Sequence, residues 1–167
     1  MVASGALEGE PVELLEGLLV EVMSPQSPAH AAVIARLTRH LGAARAWLRV
    51  QLPLAVPPDS EPEPDLALVV EEPPPGDHPR TALLVVEVSF SSPQVDRGVK
   101  VKLYAKAGVP TYWLVDVLGR AVEVRTDPGP EGYARCEVYK AKAGDRVPSP
   151  VQGVPDLDVG ALLSELS

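Results

Sequence analysis

Residues 82–88, Ala-Leu-Leu-Val-Val-Glu-Val, constrain this chain more than any other segment. The run is apolar without a break until Glu87. It lacks the alternation of a strand with one wet face, so it predicts a short strand buried on both sides. Such a strand needs a layer above and a layer below its sheet. Two serine-then-proline steps, Ser27-Pro28 and Ser92-Pro93, predict the helices that supply them. In each, the serine hydroxyl can accept an otherwise unpaired amide, and proline has no amide to lose. The first helix is expected over about 28–44, with Val33, Ile34, Leu37 and Leu41 as its apolar stripe. The second is expected over about 93–107, stopping at Gly108 before Pro110, with Val95, Val99 and Leu103 as its ridge.

The remaining elements follow from turn chemistry and alternation. Glu16-Gly17, inside the apolar stretches of 13–23, predicts a small N-terminal hairpin. Strands are expected over 47–52 and 66–70, with a hairpin of 112–116 and 121–125 around Leu118-Gly119. A further strand is expected over 134–139 and a short helix over 159–166. The order hairpin, helix, three strands, helix, strands predicts a mixed sheet with helices packed on it, an α/β or α+β architecture. At 167 residues, one domain over 1–167 is expected, with 1–7 and 150–167 peripheral.

Composition narrows the function. Apolar runs fall far short of the roughly 20 residues a bilayer needs, and the first residues lack a basic segment followed by an apolar one. No membrane association and a soluble, cytoplasmic protein are expected. A single cysteine, Cys136, excludes an internal disulfide framework or a Cys-rich zinc site, and reads as a small buried apolar residue rather than a reactive thiol. Asparagine is absent, isoleucine occurs once and there are 19 prolines, a composition that suits a GC-rich genome and a thermophile. The net charge of -8 argues against unspecific binding to polyanions. The charge is patterned, however: 1–21 and 59–87 are acidic, whereas 22–58 holds no acid and 88–112 is again basic. If folding joins the two basic blocks, a basic rim would surround a carboxylate cluster. Otherwise these charges only solvate different faces.

Chemistry is concentrated in Asp65 at the start of one buried strand, Glu87 at the end of another, and Lys100 on the helix that follows. Two carboxylates at neighbouring strand ends suit a hard divalent cation, and a nearby ammonium group could orient water or steady charge on a phosphate. The plainer alternative is that these acids cap loops or pair with surface arginines, with Asp96 and Lys100 forming an ordinary helical ion pair. Asp96, Lys100 and Tyr104 lie four residues apart, in a row that can reach past the sheet edge. Tyr104 is either a hydrogen-bond donor to that site or a core residue with its hydroxyl at the surface. Tyr112 and Trp113 belong to the core.

Pro64-Asp65, Val86-Glu87-Val88-Ser89, Asp96-Arg97-Gly98-Val99-Lys100 and the run from Tyr104 to Asp116 resemble the Uma2 family of restriction-endonuclease-like proteins. The likeness extends from Glu13-Leu14-Leu15-Glu16-Gly17 and Ser27-Pro28-Ala29-His30 to Tyr139, and is most specific over 87–116. It implies the PD-(D/E)xK nuclease fold, a mixed central sheet flanked by helices with an N-terminal hairpin and a divalent-metal site at the strand ends. Asp65 and Glu87 match the acids, expected to hold Mg²⁺ or Mn²⁺. The usual lysine two residues after the second acid is missing, because Ser89 stands there. Lys100 matches a lysine contributed by the following helix, with Lys102 as the alternative.

The resemblance also places a histidine at His30, in the first turn of the first helix. There the positive helix end should lower its pKa and favour a nearby anion, although a purely structural role is equally open. Family members commonly carry an acid after the hairpin glycine, but this chain has Leu18, with Glu13 and Glu21 as substitutes. The resulting expectation is a metal-dependent endonuclease acting on nucleic acid, DNA above all, as a homodimer. Arg36, Arg39, Arg97 and Lys106 would contact the phosphate backbone. The alternatives are a nuclease scaffold kept as a non-catalytic module for dimerisation or nucleic-acid binding, and a hydrolase of small phosphate esters.

Overall fold

The computed structural model describes residues 12–21, 27–90 and 96–166, with the side chains of Glu21, Asp96 and Arg97 outside that description. A hairpin of β1 (Val12–Leu15) and β2 (Leu18–Glu21) turns at Glu16 and Gly17, both with positive φ. Helix α1 (Pro28–Leu41) begins where Ser27 caps it and ends at Gly42. It is shorter than expected by a few residues, because the chain leaves the helix to feed β3 (Trp47–Val50). Strands β4 (Leu66–Val69) and β5 (Leu84–Ser89) follow. A π-helical turn, Asp96–Lys100, then runs into α2 (Val101–Lys106). The chain continues through β6 (Thr111–Asp116), β7 (Ala121–Gly129), β8 (Gly132–Lys140), β9 (Arg146–Val147), β10 (Leu157–Asp158) and α3 (Val159–Leu162).

The six strands β3 to β8 form one sheet in sequence order. All its pairs are antiparallel except β5 with β6, which α2 joins by a crossover. The architecture is thus mixed α+β, as expected. Among the described residues no helix is long and apolar enough to cross a membrane.

The uninterrupted apolar run has the predicted cause. Every residue of β5 is buried, and its side chains alternate between two cores. Leu84, Val86 and Val88 pack with Leu37 and Leu41 of α1 and with Trp113. Val85 faces the other way, toward Tyr104 of α2, Tyr112, Leu114 and Leu15 of the hairpin. Glu87 falls on this second face by the same alternation. A carboxylate is therefore carried into the layer between sheet and α2.

The second helix departs from expectation. Residues 91–95, including Val95 and the Ser92-Pro93 start, lie outside the described residues. Val99 is 40% exposed, whereas Val101 is buried. The π turn inserts an extra residue into the helical repeat, so the apolar face shifts from Val99 to Val101 while Leu103 stays inside. Cys136 is exposed on β8 instead of buried, because it lies on the last strand of the sheet, where residues 134–138 are all exposed. Tyr112 and Trp113 are fully buried, as expected.

Candidate functional site

Leu66 stands opposite Val86 in the β4–β5 ladder, so Asp65, one residue before β4, comes to the end of the sheet where Glu87 lies. Both acids therefore lie at the same end of the sheet. Asp65 is anchored there: its Oδ2 accepts the Val88 N–H at 2.7 Å, and its carbonyl accepts the Gln51 N–H at 3.0 Å.

The end of the π turn and helix α2 bring two side chains onto Glu87. The Lys100 Nζ lies 3.1 Å from Glu87 Oε1, and the Tyr104 hydroxyl donates to the same oxygen at 2.7 Å. Lys100 and Tyr104 are thus the part of the predicted helical row that meets the acid, since the side chain of Asp96 is not described. Burial, followed by the neighbouring Glu87 charge and hydrogen bond, raises the Tyr104 pKa well above its usual value, which keeps the phenol a donor.

The hairpin supplies a third acid. Glu13 and Leu15 point inward from β1, and the Lys100 Nζ lies 3.1 Å from Glu13 Oε2. The hairpin is held in place by the acidic lead-in to β4: the Gly17 N–H donates to the Asp59 carbonyl, the Glu61 N–H to the Leu14 carbonyl, and the Glu16 N–H to Ser60 Oγ. Leu18, where an acid was looked for, is 69% exposed.

His30 arrives from the opposite layer, at the start of α1, where Ser27 Oγ accepts its backbone N–H at 3.1 Å. Its Nε2 lies 3.5 Å from Asp65 Oδ1. Hydrogen bonding to Asp65 raises the His30 pKa above 6.5, opposed by burial and reinforced by the Asp65 charge. This reverses the expected lowering. The carboxylate lies against the ring itself, whereas the helix end acts through a partial charge.

Two groups thus lie at this end of the sheet: Glu13 and Glu87 share the Lys100 ammonium, and Asp65 faces the His30 imidazole. Burying carboxylates such as Glu13 and Glu87 is costly unless a cation stands beside them, and the Lys100 ammonium does so here. Among the described residues no three His, Cys, Asp or Glu side chains gather closely enough to cage a metal alone. A pair of carboxylates at neighbouring strand ends nevertheless fits Mg²⁺, which keeps several waters and takes only one or two protein acids.

The remaining candidates separate. Lys102 is exposed and points away from the buried cluster that Lys100 enters. Arg39 is exposed, and Lys106 sits 3.8 Å from Glu16 of the hairpin at a half-exposed ion pair. The Arg97 side chain lies outside the described residues. Arg36 is committed elsewhere: its Nη1 donates to the carbonyls of Leu162 and Ser164, both at 2.7 Å, which clasps α1 to the C-terminal segment. The continuous basic rim suggested by the charge blocks is accordingly thinner, since Arg49 also spends a donor on the Pro53 carbonyl. Sequence reasoning missed the Arg36 clasp, because its acceptors are backbone carbonyls more than a hundred positions away and leave no residue-type signal.

Residues 6–162 match a family model, Uma2, whose description reads "Putative restriction endonuclease". A crystal structure described as "a putative nuclease belonging to DUF820 from Anabaena variabilis ATCC 29413" superposes with a TM-score of 0.72 at 20% identity, covering 93% of this chain and 91% of that one. At that identity the likeness shows a shared fold. No curated protein matches the chain.

Proposed function

The chain belongs to the Uma2 family, and from that premise we propose that it is a metal-dependent endonuclease that hydrolyses phosphodiester bonds of nucleic acid, DNA in the first instance, in the cytoplasm and as two copies. The observation that carries this reading is that the Asp65–His30 contact and the Glu87–Lys100 contact lie at the same end of the sheet.

Asp65 and Glu87 would hold Mg²⁺ or Mn²⁺ through their oxygens. When bound, the ion supplies Lewis acidity toward the phosphate oxygens. Lys100 either positions the attacking water or steadies the negative charge that grows on the phosphate. Glu13 and Glu87 together hold its Nζ in place, and Tyr104 fixes the Glu87 oxygen to which it is bound. His30, favoured in its protonated form by Asp65, can donate to a phosphate oxygen or to the leaving group. Arg39, Arg97 and Lys106 remain the candidates for backbone contacts, and Arg36 is dropped from that set.

The test titrates Mn²⁺ calorimetrically into wild type and Asp65→Ala, then incubates both with supercoiled plasmid and with single-stranded DNA. Metal binding that Asp65→Ala removes, with nicking that Lys100→Ala abolishes and Lys102→Ala spares, supports the proposal. Absence of both metal binding and nicking refutes it in favour of a non-catalytic module.

A further inference from the structure

We propose that two copies of this chain join through strand β8, edge to edge, in an antiparallel pair centred on Cys136. This rests on the two-copy element of the reading above and names the surface that makes it.

Among the described residues strand β8 pairs only with β7 and closes one side of the six-stranded sheet. Natural edges are blunted by proline, bulges or covering elements. Here the β7–β8 register runs unbroken from Lys140 to Arg135, no proline occurs within β8, and residues 134–138 are all exposed, with Val138 at 50%. The direction of the free backbone groups can be read from Lys140. Its N–H donates to Asp145 Oδ2 at 2.8 Å and its carbonyl accepts the Asp145 N–H at 3.3 Å, both away from β7. Alternation along the strand then turns the N–H and C=O of Val138, Cys136 and Ala134 outward. Asp145 covers the edge at Lys140, so the open window is 134–138.

Charge selects both occupant and register. For outward groups to meet outward groups across a two-fold axis, the pair must centre on a residue. Centring on Arg135 or Glu137 sets like charges face to face. Centring on Ala134 sets Glu137 against Glu131 of the second copy, and centring on Val138 drives the second copy into the Asp145 cover. Centring on Cys136 sets Arg135 against Glu137 of the second copy, twice, at the closely spaced pairs where side chains lie nearest. In the free chain Arg135 uses Nε for Asp127 at 2.9 Å, and Glu137 uses Oε2 for the Tyr139 hydroxyl at 2.6 Å. The cross-axis pairs draw on other atoms of the same groups. The two sheets then become one continuous sheet.

Sedimentation velocity on the full chain reads the assembly. A concentration-dependent dimer is expected. Arg135→Glu should weaken it at least tenfold, and Arg135→Glu combined with Glu137→Arg should restore it. Val138→Pro should abolish it without breaking the β7 ladder, because that N–H points outward. Mild oxidation should give a disulfide between the two Cys136 residues, since Cα atoms of a hydrogen-bonded antiparallel pair lie about 5.5 Å apart, within disulfide reach. A monomer at every concentration overturns both the two-copy reading and this surface. A dimer indifferent to Val138→Pro and to the charge swap, or one that resists Cys136 oxidation, overturns the surface alone.

Discussion

Replacing Lys100 by methionine keeps most of the buried stem and deletes the ammonium group. In the wild type that group lies 3.1 Å from carboxylate oxygens of both Glu13 and Glu87, and the three side chains are between 5% and 8% exposed. Lys100→Met leaves the Tyr104 hydroxyl on Glu87 but removes the cation that holds the two acids together. Breaking a buried ion pair by removing one partner costs about 3–5 kcal/mol, because the other charge remains buried and uncompensated. One ammonium serves two acids here, so the upper part of that range is expected. That is a large share of the roughly 5–15 kcal/mol that holds a domain folded. Glu13→Gln should cost no more than about 1 kcal/mol, since it leaves the Lys100–Glu87 contact in place. In the double variant the loss should fall below that of Lys100→Met by at least about 1 kcal/mol, the coupling expected of groups in one network. Urea unfolding at pH 7.5 in EDTA measures all four proteins, with buried Trp113 and half-exposed Trp47 as fluorophores. A Lys100→Met loss below about 1 kcal/mol would refute the buried three-group network.

His30 should titrate above 6.5 by NMR, and Asp65→Asn should lower that value, because hydrogen bonding to Asp65 is the chief cause of the rise. A folded pKa above the unfolded 6.5 means that the native state binds the proton more tightly. The stability difference between wild type and His30→Gln should therefore be full below pH 6.5 and vanish as pH rises through the folded pKa. An unchanged difference across that window would contradict the ion pair. Arg36→Met should destabilise by about 1.5–3 kcal/mol through its two lost carbonyl bonds, with faster amide exchange around α3 and unchanged plasmid nicking per folded molecule.

The layered fold was legible because burial leaves a direct trace in residue type. Apolar continuity in β5, the Ser27-Pro28 start of α1 and the Glu16-Gly17 turn each have a local cause acting over a few residues. That Asp65 and Glu87 come to the same end of the sheet was legible only as strand ends plus a resemblance, since register is a long-range property. Glu13 could be named as a substitute acid but not placed, because its approach to Lys100 depends on how residues 59–61 pin the hairpin. The π turn left no mark in the apolar pattern of Val99 and Leu103, and it reversed the exposure of Val99. The His30 shift was misjudged for the same kind of reason: the helix end is local, whereas Asp65 is 35 positions away and stronger.

Soaking crystals of the protein in Mn²⁺ and collecting anomalous diffraction tests the convergence most directly. A peak shared by Asp65 and Glu87 is expected, with an oxygen of each at roughly 2.1 Å, as hard divalent cations require of oxygen ligands. The peak should be lost in Asp65→Ala. Manganese bound elsewhere on the molecule, or at one of the two carboxylates with the other turned away, would contradict it.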